Sequence, residues 1–203
     1  MNKRLASSPD FVIRHPETPE EIDTYFQLNA KTFRPDEDTA LVASRRRRFI
    51  MHDPDFQRSQ LHSAFYGQTY IGSYRLHERL LSIESVQFPI GCVGGVVTHP
   101  AYQHQGVATA MMLDALAVAR DRQYALLLLH GVADYYKQHG YIDVCEDMPQ
   151  HAIQRALIPG DTSPGYIVRA IEQPDAPALL ALYRQHHETS LCSFAPSRTL
   201  ARQ

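Results

Sequence analysis

The sequence predicts an α/β protein with a central, twisted, mixed β-sheet flanked by helices, and three observations carry that expectation. Runs with strand periodicity alternate with runs of helical periodicity, in the order β, α, α, β, β, β, α, β, α, β. One junction, between Pro89 and Tyr141, passes from a Gly-rich apolar run through the polar loop Gln103-His104-Gln105-Gly106-Val107-Ala108 into a long helical alternation of Ala, Met and Leu. Ala125 to Leu129 is short and wholly apolar, as expected for a buried strand.

Taken in order, Phe11 to Arg14 reads as a short strand. Thr18-Pro19-Glu20-Glu21 then has capping-box spacing with proline at the first helical position, so a helix starts there. Ile22, Tyr25, Phe26, Asn29 and Ala30 keep the i, i+3, i+4 rhythm to about Lys31. A second helix is predicted from Asp38 through Met51, closed by His52-Asp53-Pro54. It contains the run Arg45-Arg46-Arg47-Arg48. Four adjacent residues span a whole helical turn and cannot all face one ligand, so the run reads as a solvated face, with one or two arginines lining a substrate or cofactor mouth.

Leu61 to Tyr66 and Thr69 to Leu76, joined at Gly67-Gln68, read as an antiparallel hairpin. After a polar stretch to Ser85 comes a strand from Ile90 to Thr98, in which Gly91, Gly94 and Gly95 mark a bulge or a close backbone approach. The main helix is predicted from Gly106 to Arg122, with Val107, Ala110, Met111, Leu113, Leu116 and Ala117 as its apolar side. A short helix from Asp134 to His139 stops at Gly140, and Tyr141 to Cys145 reads as a further strand.

Residues 1–158 are expected to form one domain, 159–165 a linker of Pro, Gly, Asp, Thr and Ser, and 166–203 a C-terminal extension. The extension repeats an earlier pattern. Ile167-Val168-Arg169 through Pro174-Asp175 echoes Val12-Ile13-Arg14 through Pro19-Glu20 at an offset of 155 residues, so the chain reads as ending just after it begins a second copy of its own unit. The helix around Ala178 to Tyr183 belongs to that extension.

Composition excludes several classes. Hydrophobic residues at 44% and charged residues at 21% are globular values, and a net charge of -2 gives no general attraction to nucleic acid or to an anionic membrane. No window reaches a bilayer-spanning length, so a cytoplasmic protein is expected. Cys92, Cys145 and Cys192 are odd in number and widely spaced, which reads as reduced thiols, with Cys92 a small core residue in a strand. His186-His187-Glu188 suggests a metal, but adjacent helical histidines diverge by about 100°, so no metal is expected.

The junction at Gly106 is a ready anion site. A helix start offers unpaired N–H groups and the positive end of its dipole, and a strand-loop-helix order aims them at a phosphate. Neither G-x-x-x-x-G-K-[ST] nor G-x-G-x-x-G occurs, which removes the nucleoside-triphosphate loop and the dinucleotide fingerprint. What is present is Gln103-x-x-Gly106-x-Ala108.

On those residues the sequence resembles the GNAT superfamily of N-acetyltransferases, whose acetyl-CoA pyrophosphate loop is Q/R-x-x-G-x-G/A after a strand. Val96-Val97-Thr98-His99-Pro100 matches the approach to that loop, and Tyr135-Tyr136-Lys137-Gln138-His139-Gly140-Tyr141 is similar to the family's later F-Y-x-x-x-G-[FY] signature, about thirty residues on. The arrangement from Val93 to Pro100 looks most like the branch of the enhanced-intracellular-survival acetyltransferases, many of which carry tandem units. The resemblance covers roughly residues 10 to 150. Gln103 stands where the family more often has Arg, which removes a charge near the pyrophosphate.

The resemblance implies an acetyl-CoA-dependent N-acetyltransferase. Acetyl-CoA would lie against Val96, Val97, Thr98, Gln103, His104, Gln105, Gly106, Val107, Ala108 and Thr109, and a small-molecule or peptide amine would accept the acetyl group. It implies Tyr136 as the acid that protonates the leaving thiolate, and a backbone N–H near Val97 as the oxyanion donor. The base stays open between His130, Glu84 and water, because the strand from Ile90 to Thr98 holds no carboxylate. A non-catalytic acyl-CoA-binding module is the alternative. Neither nucleic acid nor a membrane is expected as a partner, and a homo-oligomer is compatible with the reading.

Overall fold

The computed structural model describes residues 11–84, 86–131, 133–144, 169–189 and 192–194. In chain order the elements are β1 (Phe11–Arg14), α1 (Pro19–Phe33), α2 (Thr39–Met51), β2 (Leu61–Tyr66), β3 (Thr69–Ile83), β4 (Val86–Thr98), α3 (Val107–Asp121), β5 (Leu127–Leu129), α4 (Ala133–Lys137), α5 (Ala176–Thr189) and β6 (Cys192–Phe194). The strands form one mixed sheet in the order β1-β2-β3-β4-β5, with β6 added to β3. All neighbours are antiparallel except β4 and β5, which run parallel.

Local chemistry starts the first two helices where the sequence indicates. Thr18 caps α1 by accepting from the Glu21 N–H at 3.2 Å, and Asp38 caps α2 by accepting from the Leu41 N–H at 2.7 Å. Arg14, at the end of β1, donates two bonds to the Glu21 carboxylate, at 2.9 and 2.6 Å, which fixes the angle between strand and helix. That guanidinium holds Glu21 at a pKa of about 2.

The helices cover opposite faces of the sheet. Neighbouring β3 residues show this: Ser73 Oγ lies 3.4 Å from Asn29 Nδ2 of α1, whereas Tyr74 Oη lies 2.5 Å from Asp114 of α3. On the first face Ile22, Tyr25, Phe26 and Ala30 pack with Val42, Ala43 and Leu61. On the second, Val107, Met111, Met112 and Ala115 pack on Ala64, Ile71, Tyr74, Leu76 and Val93. Each large side chain sealed there contributes roughly 1.5–3 kcal/mol. The buried row of α3 therefore differs from the expected one: Leu113 is 48% exposed, and the four-residue spacing of Val107, Met111, Ala115 and Ala119 faces the sheet.

Two further expectations are corrected. The polar stretch after Leu76 is strand, because β3 continues through His77, Glu78 and Arg79 to Ile83, paired along its length with β4. Its charges are matched from outside the sheet: Arg79 donates to Asp53 at 2.7 Å, and Arg75 Nη2 lies 3.8 Å from the same carboxylate. Residues 141–144 are not a strand. Tyr141 turns back onto α4, its N–H bonded to the Tyr136 carbonyl at 3.4 Å and its ring edge-on to that of Tyr136. Cys145 and the expected linker 159–165 lie outside the described residues.

The strand opening the predicted second unit, Ile167 and Val168, also lies outside them, but its following turn is described. Gln173–Asp175, with Pro174 in its middle, forms a helical turn that leads into α5, and Arg169 donates two bonds to Asp175 at 2.7 and 2.6 Å, a bidentate pair like that of Arg14 on Glu21 though one residue shorter in spacing. Beyond α5, β6 pairs with the far end of β3, Leu81 opposite Phe194.

Candidate active site

The site is built where β4 and β5 part. Their parallel pairing covers Gly91 to Val93 against Leu127 to Leu129 and stops there. From Gly94 to Thr98 the edge of β4 turned toward β5 has no strand partner among the described residues. Backbone N–H and C=O groups along such an edge are free to bind an extended ligand.

A bulge in β4 lies in this free segment. Ser73 pairs with Val97 and Arg75 with Gly94, so Gly95 and Val96 together oppose Tyr74. Gly95 takes φ +61, and a Cβ there would lie 2.8 Å from Asn29 Oδ1. The buried Asn29 amide approaches the Gly95 carbonyl at 3.5 Å and Ser73 Oγ at 3.4 Å, so α1 braces the bulge. Gly95→Ala is expected to cost about 1–3 kcal/mol of folding stability, from the left-handed backbone and the collision with a buried amide. A denaturant midpoint measured beside wild type checks it.

Beyond Thr98 the chain makes a short helical turn at Pro100–Tyr102 and enters the polar loop. His104 (φ 60) and Gly106 (φ +83) are both left-handed, and an added Cβ on Gly106 would meet nothing within 4 Å. Gly106 is the N-cap of α3 and supplies no side-chain cap. The first intrahelical bond runs from the Ala110 N–H to the Gly106 carbonyl at 2.9 Å, so the N–H groups of Val107, Ala108 and Thr109 have no helical acceptor. Gln103, His104, Gln105 and Gly106 are exposed around them. An open approach, a row of unpaired amides and a helix dipole fit a pyrophosphate.

α4 stands against this helix start. Burial raises the phenol of Tyr135, and the Thr109 hydroxyl facing it draws it part of the way back, although the two do not meet at hydrogen-bonding distance. Tyr136 is half-buried just past the end of β5, its ring so close to Gly131 that an added Cβ there would lie 2.6 Å from it. Burial, and then neighbouring Tyr135, raise the Tyr136 phenol, so it stays protonated near neutral pH.

The structure thus brings Val96, Val97, Thr98, the loop, the α3 start and Tyr136 to one end of the sheet. His130 follows β5 directly and is exposed. Glu84 is carried away from them: it sits in the β3–β4 turn at φ 53, roughly 25 Å along the strand from Gly94.

The sequence reading missed a buried network behind the site. Asp114 Oδ2 accepts from Tyr74 Oη at 2.5 Å and from His62 Nδ1 at 3.1 Å, and the His62 ring stacks on Tyr74 at 4.4 Å. Burial alone would raise the Asp114 carboxyl, but the bonds from His62 and Tyr74 hold it below its usual value. The available signal was an acid on the apolar row of α3, one turn from Met111. Among the described residues no group of His, Cys, Asp and Glu could hold a metal ion, and no helix is long and apolar enough to cross a membrane.

The chain belongs to the acetyltransferase (GNAT) domain family, which matches residues 13–142. A protein of unknown function from Enterococcus faecalis V583, described as a probable N-acyltransferase, superposes with a TM-score of 0.54 at 22% identity, over 64% of this chain and 32% of that one. The chain therefore spans about a third of that relative. A transcriptional regulator from Bacillus halodurans C-125 gives 0.56 at 19% identity, over 70% of this chain and 99% of that one. A predicted acetyltransferase with acetyl-CoA from Clostridium acetobutylicum gives 0.52 at 14%, over 68% and 94%. At these identities the superpositions show the fold. No curated protein matches the chain in sequence. Family membership supports acyl transfer as the general chemistry, with acetyl-CoA as the family's donor.

Proposed function

We propose that the protein is an acetyl-CoA-dependent N-acetyltransferase working by direct attack of an amine on the thioester, with no covalent enzyme intermediate. The observation that carries this is the free edge of β4 running into the unpaired amides of Val107, Ala108 and Thr109. Bound acetyl-CoA supplies an activated acyl thioester. The three amides would hold its pyrophosphate, with Gln103, His104 and Gln105 around it and Gly106 letting the backbone approach. A backbone N–H of β4 near Val97 would donate to the carbonyl oxygen as negative charge develops on it. Tyr136 Oη would give its proton to the departing sulfur. His130, exposed where β5 ends, or water would take the proton from the attacking amine.

Isothermal titration of the full chain tests the reading. Acetyl-CoA is expected to bind, and Gly106→Val to weaken it about tenfold while the protein stays folded, since a branched residue resists φ > 0 and narrows the approach. Folded wild-type protein that does not bind acetyl-CoA would overturn the reading. One observation favours a second reading, a non-catalytic acyl-CoA-binding module: β4 carries no carboxylate to serve as base. A cytoplasmic setting belongs to the main proposal, on the odd, dispersed cysteines. So does a tandem organisation, supported by the recurrence of an Arg–carboxylate pair between strand and helix start, Arg14–Glu21 and Arg169–Asp175, one residue apart in spacing.

A further inference from the structure

The arginine run of α2 divides in two. Arg46 lies over the Phe33 ring at 5.4 Å, and Arg47 is paired with Asp23 at 2.7 Å, so both turn onto α1. Arg45 and Arg48 turn the other way and line an open depression with Phe49, His52 and Asp53. Neither guanidinium makes a hydrogen bond or ion pair among the described residues, and Phe49 beside them is 83% exposed. Asp53 does not neutralise them, because its carboxylate is engaged by Arg79 and Arg75 of β3. An uncompensated pair of guanidiniums beside an exposed aromatic ring, on a chain of net charge -2, is a local anion site with an apolar wall.

The depression borders the face of the sheet away from α3, and side-chain contacts lead from it toward β4. Asp53 forms part of its lining and holds Arg75, and Arg75 is the cross-strand partner of Gly94, where the free edge of β4 begins. No Cβ contact lies within 4 Å of Gly94, so that side of the strand is open. The α3 amides that would hold pyrophosphate belong to a helix on the opposite face, so Arg45 and Arg48 are free for another ligand.

We propose that Arg45 and Arg48 bind the anionic group of the acceptor, which is an amine carrying a carboxylate or a phosphate. This rests on the acetyl-transfer reading above. Two guanidiniums suit one carboxylate or phosphate, whereas a polyanion would need a longer basic track than these two supply.

The test is calorimetric, on the full chain and on an Arg45→Gln/Arg48→Gln double variant. The probes are L-phenylalanine against 2-phenylethylamine, which lacks only the carboxylate, and O-phosphoethanolamine against ethanolamine. Wild type is expected to favour the anionic member of at least one pair by about tenfold or more, and the double variant to lose that preference. Which pair discriminates more strongly separates carboxylate from phosphate. Both proteins should keep the same thermal midpoint, as exposed Arg→Gln changes rarely disturb folding. Absence of a preference in wild type, or its persistence in the double variant, overturns the proposal. So does a matching loss of acetyl-CoA affinity in the double variant, which would assign the arginines to the coenzyme. If wild type discriminates between the probes but binds no acetyl-CoA, the anion site stands and the acetyl-transfer reading fails instead.

Discussion

Tyr136→Phe is expected to lower kcat for acetyl transfer by about 10²-fold, the lower end of what a placed general acid contributes, while acetyl-CoA affinity is unchanged. The phenol is half-buried beyond β5 and its pKa is raised, so near neutral pH it holds a proton to give. A free phenol titrates near 10 and a thiol near 8.5, so donation to a departing thiolate is uphill unless the site positions the pair. The measurement is steady-state thiol release with saturating acceptor, beside calorimetry on the same variant. A smaller thiol with a lower pKa needs less help, so an acyl donor with an activated thiol should lose less in the Phe variant. Equal kcat in variant and wild type would take Tyr136 out of the chemistry, whereas acetyl-CoA binding with no thiol release in wild type would favour the non-catalytic module. The ring itself supports packing onto Tyr135, Tyr141 and Gly131, and Phe keeps that shape.

Asp114→Ala should cost about 2–4 kcal/mol of folding stability, because it leaves two partners, Tyr74 Oη and His62 Nδ1, without their shared acceptor under α3. His62 is already under strain of this kind: its Nε2 is buried without a partner among the described residues. Burial and the Asp114 carboxylate hold the Tyr74 phenol far above its usual value, so it remains a donor throughout. The dependence on pH follows from the direction of the Asp114 shift. Its folded pKa lies below the unfolded value of about 3.9, so its contribution is fully present above that value and fades as pH falls through the folded one. The stability gap between wild type and Asp114→Asn, from denaturant titrations, should be constant above about pH 5 and narrow below pH 4. A gap that stays constant down to pH 3 would assign the effect to packing alone.

What the sequence made legible is what short-range chemistry decides. Thr18 and Pro19 start α1, Asp38 starts α2, Gly67 turns the first hairpin and Gly106 opens α3, each within a few residues of the element it controls. The features that escaped depend on partners far along the chain. His77 to Arg79 look like a loop until Asp53, brought in from the end of α2, neutralises Arg79 and lets the strand continue. Residues 141–144 have strand composition, but the pull of Tyr141 onto Tyr136 is a tertiary contact. Asp114 reads as a solvent residue unless the two strands that place His62 and Tyr74 side by side are known. In the candidate site, the loop and tyrosine motifs were readable and the geometry of the base was not. His130 carries no local sign of its surroundings, and Glu84 is removed only by the length of the β3–β4 hairpin.

The bulge at Gly95 has a consequence for how the strand is counted. A regular strand alternates sides at every residue, yet Val93 and Val96, three apart, both pack toward α3. Gly95 is therefore a phase slip: the face assigned to odd positions before it belongs to even positions after it. The last stretch of β4 thus reaches the loop half a period out of step with its beginning, with Thr98 opposite Gly72 on the α3 side and Val97 sealed beside Ser73. That offset sets the direction in which the chain leaves the sheet, and so where the amides of α3 point. Removing Gly95 would restore the alternation with Val93 and Val96 still on the α3 side, at the loss of the local bend that the extra residue introduces.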